Sequence, residues 1–123
     1  MIMKESILKD KSFKFAVRIV NLYKYLCDEK KEFVLSKQVL RSGTSVGAMV
    51  REAEHSESKA DFVHKMAIAQ KEINETLYWL ELLSETKYIS NDEFNSLNSD
   101  AVEIIKMLTS SIKTAKQKLS TIH

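Results

Sequence analysis

Apolar residues recur at three- and four-residue spacing along four stretches of this chain, the signature of helices that bury one face. In the first, from about Lys11 to Asp28, the stripe is Phe13, Ala16, Val17, Val20, Tyr23 and Leu26, and the polar run Asp28-Glu29-Lys30-Lys31-Glu32 ends it. In the second, Ser36 is positioned as an N-cap and Leu35 before it can pack on Leu40 as a hydrophobic staple, with the helix continuing to about Glu54. In the third, Ser58 and Asp61 imitate a capping box, and Phe62, Met66, Ala69, Ile73, Thr76, Leu80 and Leu83 follow at alternating steps of four and three. The fourth opens with Ser90 and Glu93. Phe94, Leu97, Ala101, Ile104, Leu108, Ser111, Ala115 and Leu119 then keep the same rhythm to the end of the chain.

Composition agrees with an all-α fold. The 123 residues include no proline and two glycines, so breakers are scarce, and the length suits one domain with one core. Short connections between long amphipathic helices predict an antiparallel up-down-up-down four-helix bundle spanning residues 1–123. Apolar or aromatic residues also lie off the main stripes, among them Ile19, Leu22, Ile68, Tyr78, Trp79, Ile105 and Met107. Second apolar faces of this kind predict an oligomer, because exposed apolar patches mark contact surfaces. No apolar run approaches the roughly 18 to 20 residues that span a bilayer. The Met-Ile-Met-Lys start lacks the pattern of a secretory signal, so a cytoplasmic protein with no membrane partner is expected. The single cysteine, Cys27, suits a reducing compartment and reads as a packed thiol.

Net charge of +2 conceals segregation. Residues 1–51 carry 11 Lys/Arg against 5 Asp/Glu, residues 52–104 carry 4 against 12, and residues 105–123 carry 4 against none. Such a distribution either forms a basic surface from the first two helices and the last, or is neutralised between neighbouring helices or subunits.

Both glycines, Gly43 and Gly47, fall in the stretch Arg41-Ser-Gly-Thr-Ser-Val-Gly-Ala-Met-Val-Arg-Glu-Ala53. Glycine inside a helix costs about 1 kcal/mol against alanine, so a pair one turn apart predicts a face that another helix approaches closely. A phosphate loop is disfavoured, because it needs a glycine-rich turn ending in Gly-Lys-Ser/Thr after a strand. If the second and third helices turn back on each other around Glu54 to Ser58, Arg41 lies opposite Glu72, with Glu75 one turn away. Arg41, Ser45, Ala48 and Glu52 then form one stripe, and Lys65, Ile68, Glu72, Glu75 and Trp79 the facing one. A guanidinium–carboxylate bridge that fixes register within the bundle or between subunits is expected there, with a polar binding site as the functional alternative.

Catalytic chemistry finds no constellation. Glu52-Ala-Glu-His55 fits the Glu-x-x-His pattern of helical two-iron centres and Asp61-Phe-Val-His64 nearly fits, but both lie beside a turn, and the first and fourth helices offer no inward glutamate. His55 and His64 read as surface or interface residues and His123 as a chain end. No metal, cofactor or enzymatic activity is expected.

Phe33-x-Leu35, Gln38, Arg41-Ser-Gly-Thr-Ser-Val-Gly-Ala48, Glu52-Ala53, Ser58-Lys-Ala-Asp-Phe62, Lys65, Ile68-Ala69, Lys71-Glu72, Glu75-Thr76 and Tyr78-Trp-Leu80 together resemble the four-helix-bundle family of 23S rRNA intervening-sequence proteins. The likeness is densest over about residues 33 to 83, and Met49 stands where that family often has asparagine. It implies a bacterial protein, an antiparallel four-helix fold and a ring-like homopentamer. The chain is also similar to the accessory variability proteins of diversity-generating retroelements, bundles that bind nucleic acid and a reverse transcriptase.

These observations predict a non-enzymatic oligomer that binds RNA or DNA phosphates through Lys14, Arg18, Lys24, Lys30, Lys31, Lys37 and Arg51, with Lys113, Lys116 and Lys118 from the last helix. The alternatives are a scaffold that holds a partner protein on its second apolar faces and, further back, a metal-dependent helical enzyme.

Overall fold

The computed structural model describes residues 4–122; Met1 to Met3 and His123 lie outside them. Four helices make up the chain: α1 (Lys4–Asp28), α2 (Leu35–Glu54), α3 (Lys59–Glu85) and α4 (Asn91–Ile122), with no strand among the described residues. Each helix packs on its neighbour in sequence, and α4 returns to α1 along the sparsest of the four seams.

The buried faces of α3 and α4 are those the periodicity predicts. Met66, Ala69, Ile73, Thr76, Leu80 and Leu83 of α3 meet Leu97, Ala101, Ile104 and Leu108 of α4 in one core. On α1 the core face differs from the predicted stripe. Leu8, Ser12, Phe15, Ile19, Leu22 and Leu26 are buried, whereas Phe13 is 51% exposed and Val17 45% exposed. Ile19 and Leu22, predicted to lie on a second face, are therefore core residues. The helix carries two overlapping apolar stripes, and the approach of α2 selects between them. A β-carbon on Gly43 would sit 2.8 Å from Cγ1 and Cγ2 of Ile19, and one on Gly47 would sit 3.2 Å from the Ser12 carbonyl oxygen. Gly43 thus lets α1 and α2 close to a distance at which a β-carbon would force Ile19 to move, and Gly47 leaves room for the Ser12 carbonyl.

The start of α2 also differs. Ser36 is buried inside the first turn and is not the cap; Val34 holds the N-cap position without a side-chain bond. Glu32 does the capping from outside the helix. Its carboxylate accepts from Ser36 N at 2.7 Å, Leu35 N at 3.0 Å and Val34 N at 3.2 Å, satisfying amides that a helix start leaves without partners. Burial pushes this carboxyl up, but the three backbone N–H groups together hold it below the usual glutamate range.

Ser58 caps α3 by accepting from Asp61 N at 3.1 Å, and Asp61 accepts in return from Glu57 N at 3.2 Å. Between α3 and α4 the chain turns through Lys87, whose φ of 68° is left-handed. Tyr88 N bonds Leu83 O at 2.9 Å and Lys87 N bonds Ser84 O at 3.1 Å, the paired bonds of a Schellman ending. Ser90 then accepts from Glu93 N at 3.1 Å and opens α4. Inside the core, the Thr76 hydroxyl lies 2.9 Å from Ser42 Oγ, which itself donates to Gln38 O at 3.0 Å, so this buried polar pair is satisfied.

Candidate functional site

Both carboxylates that the helix register predicts for Arg41 are engaged. Its guanidinium donates to Glu72 Oε2 at 3.0 Å and to Glu75 Oε2. The indole N–H of Trp79 donates to the same Glu75 oxygen at 3.0 Å, and Tyr78 meets the Trp79 ring edge-on at a centroid distance of 5.0 Å. The Trp79 and Arg41 donors hold the Glu75 carboxyl below its usual range, while Glu75, with Glu72, pushes the Arg41 guanidinium up. Every charge in this cluster has a partner, which suits a strut between α2 and α3. Ser45 turns its hydroxyl back to the Arg41 carbonyl at 2.6 Å, and Glu52 is exposed beyond the cluster.

The basic residues fall in several places. Lys14 pairs with Asp10 at 3.0 Å and Arg18 with Asp100 at 2.7 Å. Arg51 lies 5.0 Å over the Phe13 ring, and Lys30 lies 5.9 Å over Tyr25. Lys24, Lys31 and Lys37 are exposed around the α1–α2 connection, where Lys31 has a φ of 54°.

Lys113, Lys116 and Lys118 occupy the other end of the chain, divided between two cavities on α4. The larger, of about 800 Å³, lies between α3 and α4 and is lined by Gln70, Thr109, Ile112, Lys113, Lys116, Gln117 and Ser120. Gln70 Nε2 donates to Thr109 Oγ1 at 3.0 Å across it. No carboxylate lines this groove among the described residues. The smaller cavity, of about 450 Å³, includes Lys118 and Lys59 beside the α2–α3 turn. Gln70 and Lys59 are not legible as site residues in the sequence, because a single amide or lysine on an exposed helix position carries no pattern of its own.

Cys27 packs with its sulfur 3.8 Å from Ser36 Oγ and 3.8 Å from Glu32 O. His55 is the C-cap of α2 and His64 is exposed on α3. Among the described residues no three His, Cys, Asp or Glu side chains come together in a way that could hold a metal ion.

Residues 4–110 match the sequence pattern of the family described as 23S rRNA-intervening sequence protein. The chain belongs to that family. A crystal structure of a protein with unknown function from the S23 ribosomal protein family of Bacteroides thetaiotaomicron is 61% identical to this intervening-sequence protein, with a TM-score of 0.89. The likeness covers 90% of this chain and 99% of that one. No curated protein matches. The family match ends within α4, so the lysines at 113, 116 and 118 lie beyond it, while the Arg41 cluster and both glycines lie inside it.

Proposed function

We propose that this intervening-sequence protein is a non-enzymatic, oligomeric bundle that associates with RNA or DNA through basic surface residues. The observation that carries the reading is the α3–α4 groove, in which Lys113 and Lys116 stand among amides and hydroxyls with no acidic side chain in the described lining. Phosphate oxygens are bound by such donors without regard to sequence. The family name, which refers to an intervening sequence of 23S rRNA, is consistent with a nucleic-acid setting.

An up-down-up-down course of antiparallel helices is supported by side chains that meet between elements. Lys9 pairs with Glu54, Arg41 with Glu72, Gln70 with Thr109 and Lys11 with Glu103, each the pairing that reversal of direction between those two helices produces. Self-association, as a homopentamer by family resemblance, is supported by the exposed Phe13, Val17 and Tyr78. No helix among the described residues is long and apolar enough to cross a membrane. A cytoplasmic location fits the lone cysteine, since no second thiol is present for an internal disulfide.

The test is titration of the purified protein onto labelled RNA and DNA, duplex and single-stranded, at several salt concentrations, with native mass recorded on the same samples. Binding should weaken steeply with salt, and the double variant Lys113→Gln with Lys116→Gln should reduce the slope of log K against log salt by about 0.7 to 0.9 for each phosphate no longer neutralised. A wild-type slope in that variant, or no binding at low salt, overturns the reading.

A second reading, a protein-interaction scaffold, draws on the α1–α2 connection, where Phe33 and Val34 are exposed side by side, Val34 at 71%. Capture of a protein partner that survives high salt, with no affinity for nucleic acid, is the outcome that favours it.

A further inference from the structure

The smaller cavity has features the nucleic-acid reading does not use. It opens where the α2–α3 turn meets the last part of α4. Its wall includes Ser111, 5% exposed, whose hydroxyl is buried without a hydrogen-bond partner among the described residues. A buried hydroxyl in that condition is uncommon in folded proteins; its oxygen has almost no exposed surface, so a ligand bonds it once the side chain turns toward the cavity. The same cavity is bordered by the start of α3, with Ser58 as its N-cap and Lys59 as its first residue. Amides and the helix dipole favour an anion there. Lys59 and Lys118 approach from α3 and α4, and neither is held in an ion pair among the described residues. The cavity's one carboxylate among those residues, Glu54, is paired with Lys9 at 3.4 Å. Thr114 adds a hydroxyl from α4, and half-buried Phe62 supplies an apolar wall.

We propose that this cavity binds a phosphomonoester attached to a small, ring-sized body. A phosphomonoester carries about −1.5 to −2 charges at neutral pH, which the two ammonium groups match, while a hydroxyl and a helix N-terminus serve its oxygens. The volume of about 450 Å³ lies within the range of about 300 to 1,000 Å³ typical of small-molecule sites, enough for a ring against Phe62. Ser111, Thr114 and Lys118 lie past residue 110, where the family match ends, so the family pattern does not include this wall of the cavity. The phosphomonoester has two possible sources, a free mononucleotide or the 5′-phosphorylated end of a nucleic-acid strand.

The test is thermal shift and calorimetric titration of the full chain with a nucleoside 5′-monophosphate, its parent nucleoside, inorganic phosphate, and one oligonucleotide with either a 5′-phosphate or a 5′-hydroxyl. The monophosphate or the 5′-phosphorylated strand should raise Tm with concentration, and the nucleoside should not. Lys118→Gln should weaken that binding about tenfold. Ser111→Ala should raise Tm of the unliganded protein and yet reduce the ligand-induced shift, a combination that a merely structural serine would not produce. Preference for the 5′-phosphorylated over the 5′-hydroxyl strand assigns the source to a strand end; response to the mononucleotide alone assigns it to a free ligand. Equal response to nucleoside and monophosphate with no preference for a 5′-phosphate, or wild-type affinity in both variants, overturns the proposal. Lys113→Gln with Lys116→Gln should leave monophosphate binding intact, which separates this site from the α3–α4 groove.

Discussion

Gly43 lies so close to Ile19 that a β-carbon added to it would fall 2.8 Å from both γ-carbons of the isoleucine. Ile19 is fully buried and branched at Cβ, so it has little freedom to move aside. Gly43→Ala should therefore destabilise by about 1 to 3 kcal/mol, although alanine is the better helix former. In an Ile19→Ala background both γ-carbons are gone and only the β-carbon, 3.2 Å away, remains, so the same change should cost much less. Denaturant unfolding of the four proteins measures the coupling, and equal costs in both backgrounds would contradict the close approach. Gly43→Leu should lose the native fold, with an unchanged melting temperature as the refuting result.

Arg41 and Trp79 both donate to the Glu75 carboxylate, and Trp79 is the only tryptophan in the protein. Its fluorescence therefore reports on the cluster. Arg41→Ala should shift the Trp79 emission and lower stability by about 0.5 to 1 kcal/mol, the small value reflecting an exposed guanidinium. The loss should shrink at high salt. An emission spectrum identical to wild type would show that the guanidinium does not position the carboxylate.

Glu32 gives the fold a defined acid dependence. Its carboxyl is held below its ordinary value by the amides of α2, so the ionised form stabilises the folded chain. That contribution is fully present above the unfolded glutamate pKa of about 4.3 and is lost as pH falls through the lower folded value. Glu32→Ala should cost about 1 to 2 kcal/mol at pH 7, the size of a helix cap. The gap between variant and wild type should narrow in acid. Melting temperatures at pH 7 and pH 3 check this, and a gap that does not change with pH would rule out capping by the charged form.

Lys87 occupies a left-handed position that glycine usually fills at a helix end. Lys87→Gly should relieve steric strain worth more than the backbone freedom it adds, for a net gain of about 0.5 to 1 kcal/mol. Lower stability on denaturant unfolding would mean that the lysine side chain contributes more than its conformation costs.

The heptad rhythm of α3 and α4 is readable from the sequence because each carries one long unbroken apolar stripe, more regular than the apolar residues beside it, so periodicity names the buried face. Arg41 with Glu72 and Glu75 is readable for a related reason: two long helices joined by a short turn allow few registers, and charge decides among them. The glycine pair announces a close approach, since nothing else explains two poor helix formers one turn apart. Its partner is not announced. On α1, Phe13 and Val17 compete with Phe15, Ile19 and Leu22 for the core, and both stripes fit a helix equally well. Only the approach of α2 to Ile19 and Ser12 settles the choice, because it joins residues distant in sequence. The cap on α2 is missed for a different reason: Glu32 lies close in sequence to the amides it caps, but it precedes the helix boundary that spacing places at Ser36. The sequence alone thus determined four helices, two of their buried faces and one cross-helix ion cluster. Which face of α1 is buried, and which lysines, hydroxyls and amides share a cavity, followed from packing between elements that no local pattern encodes.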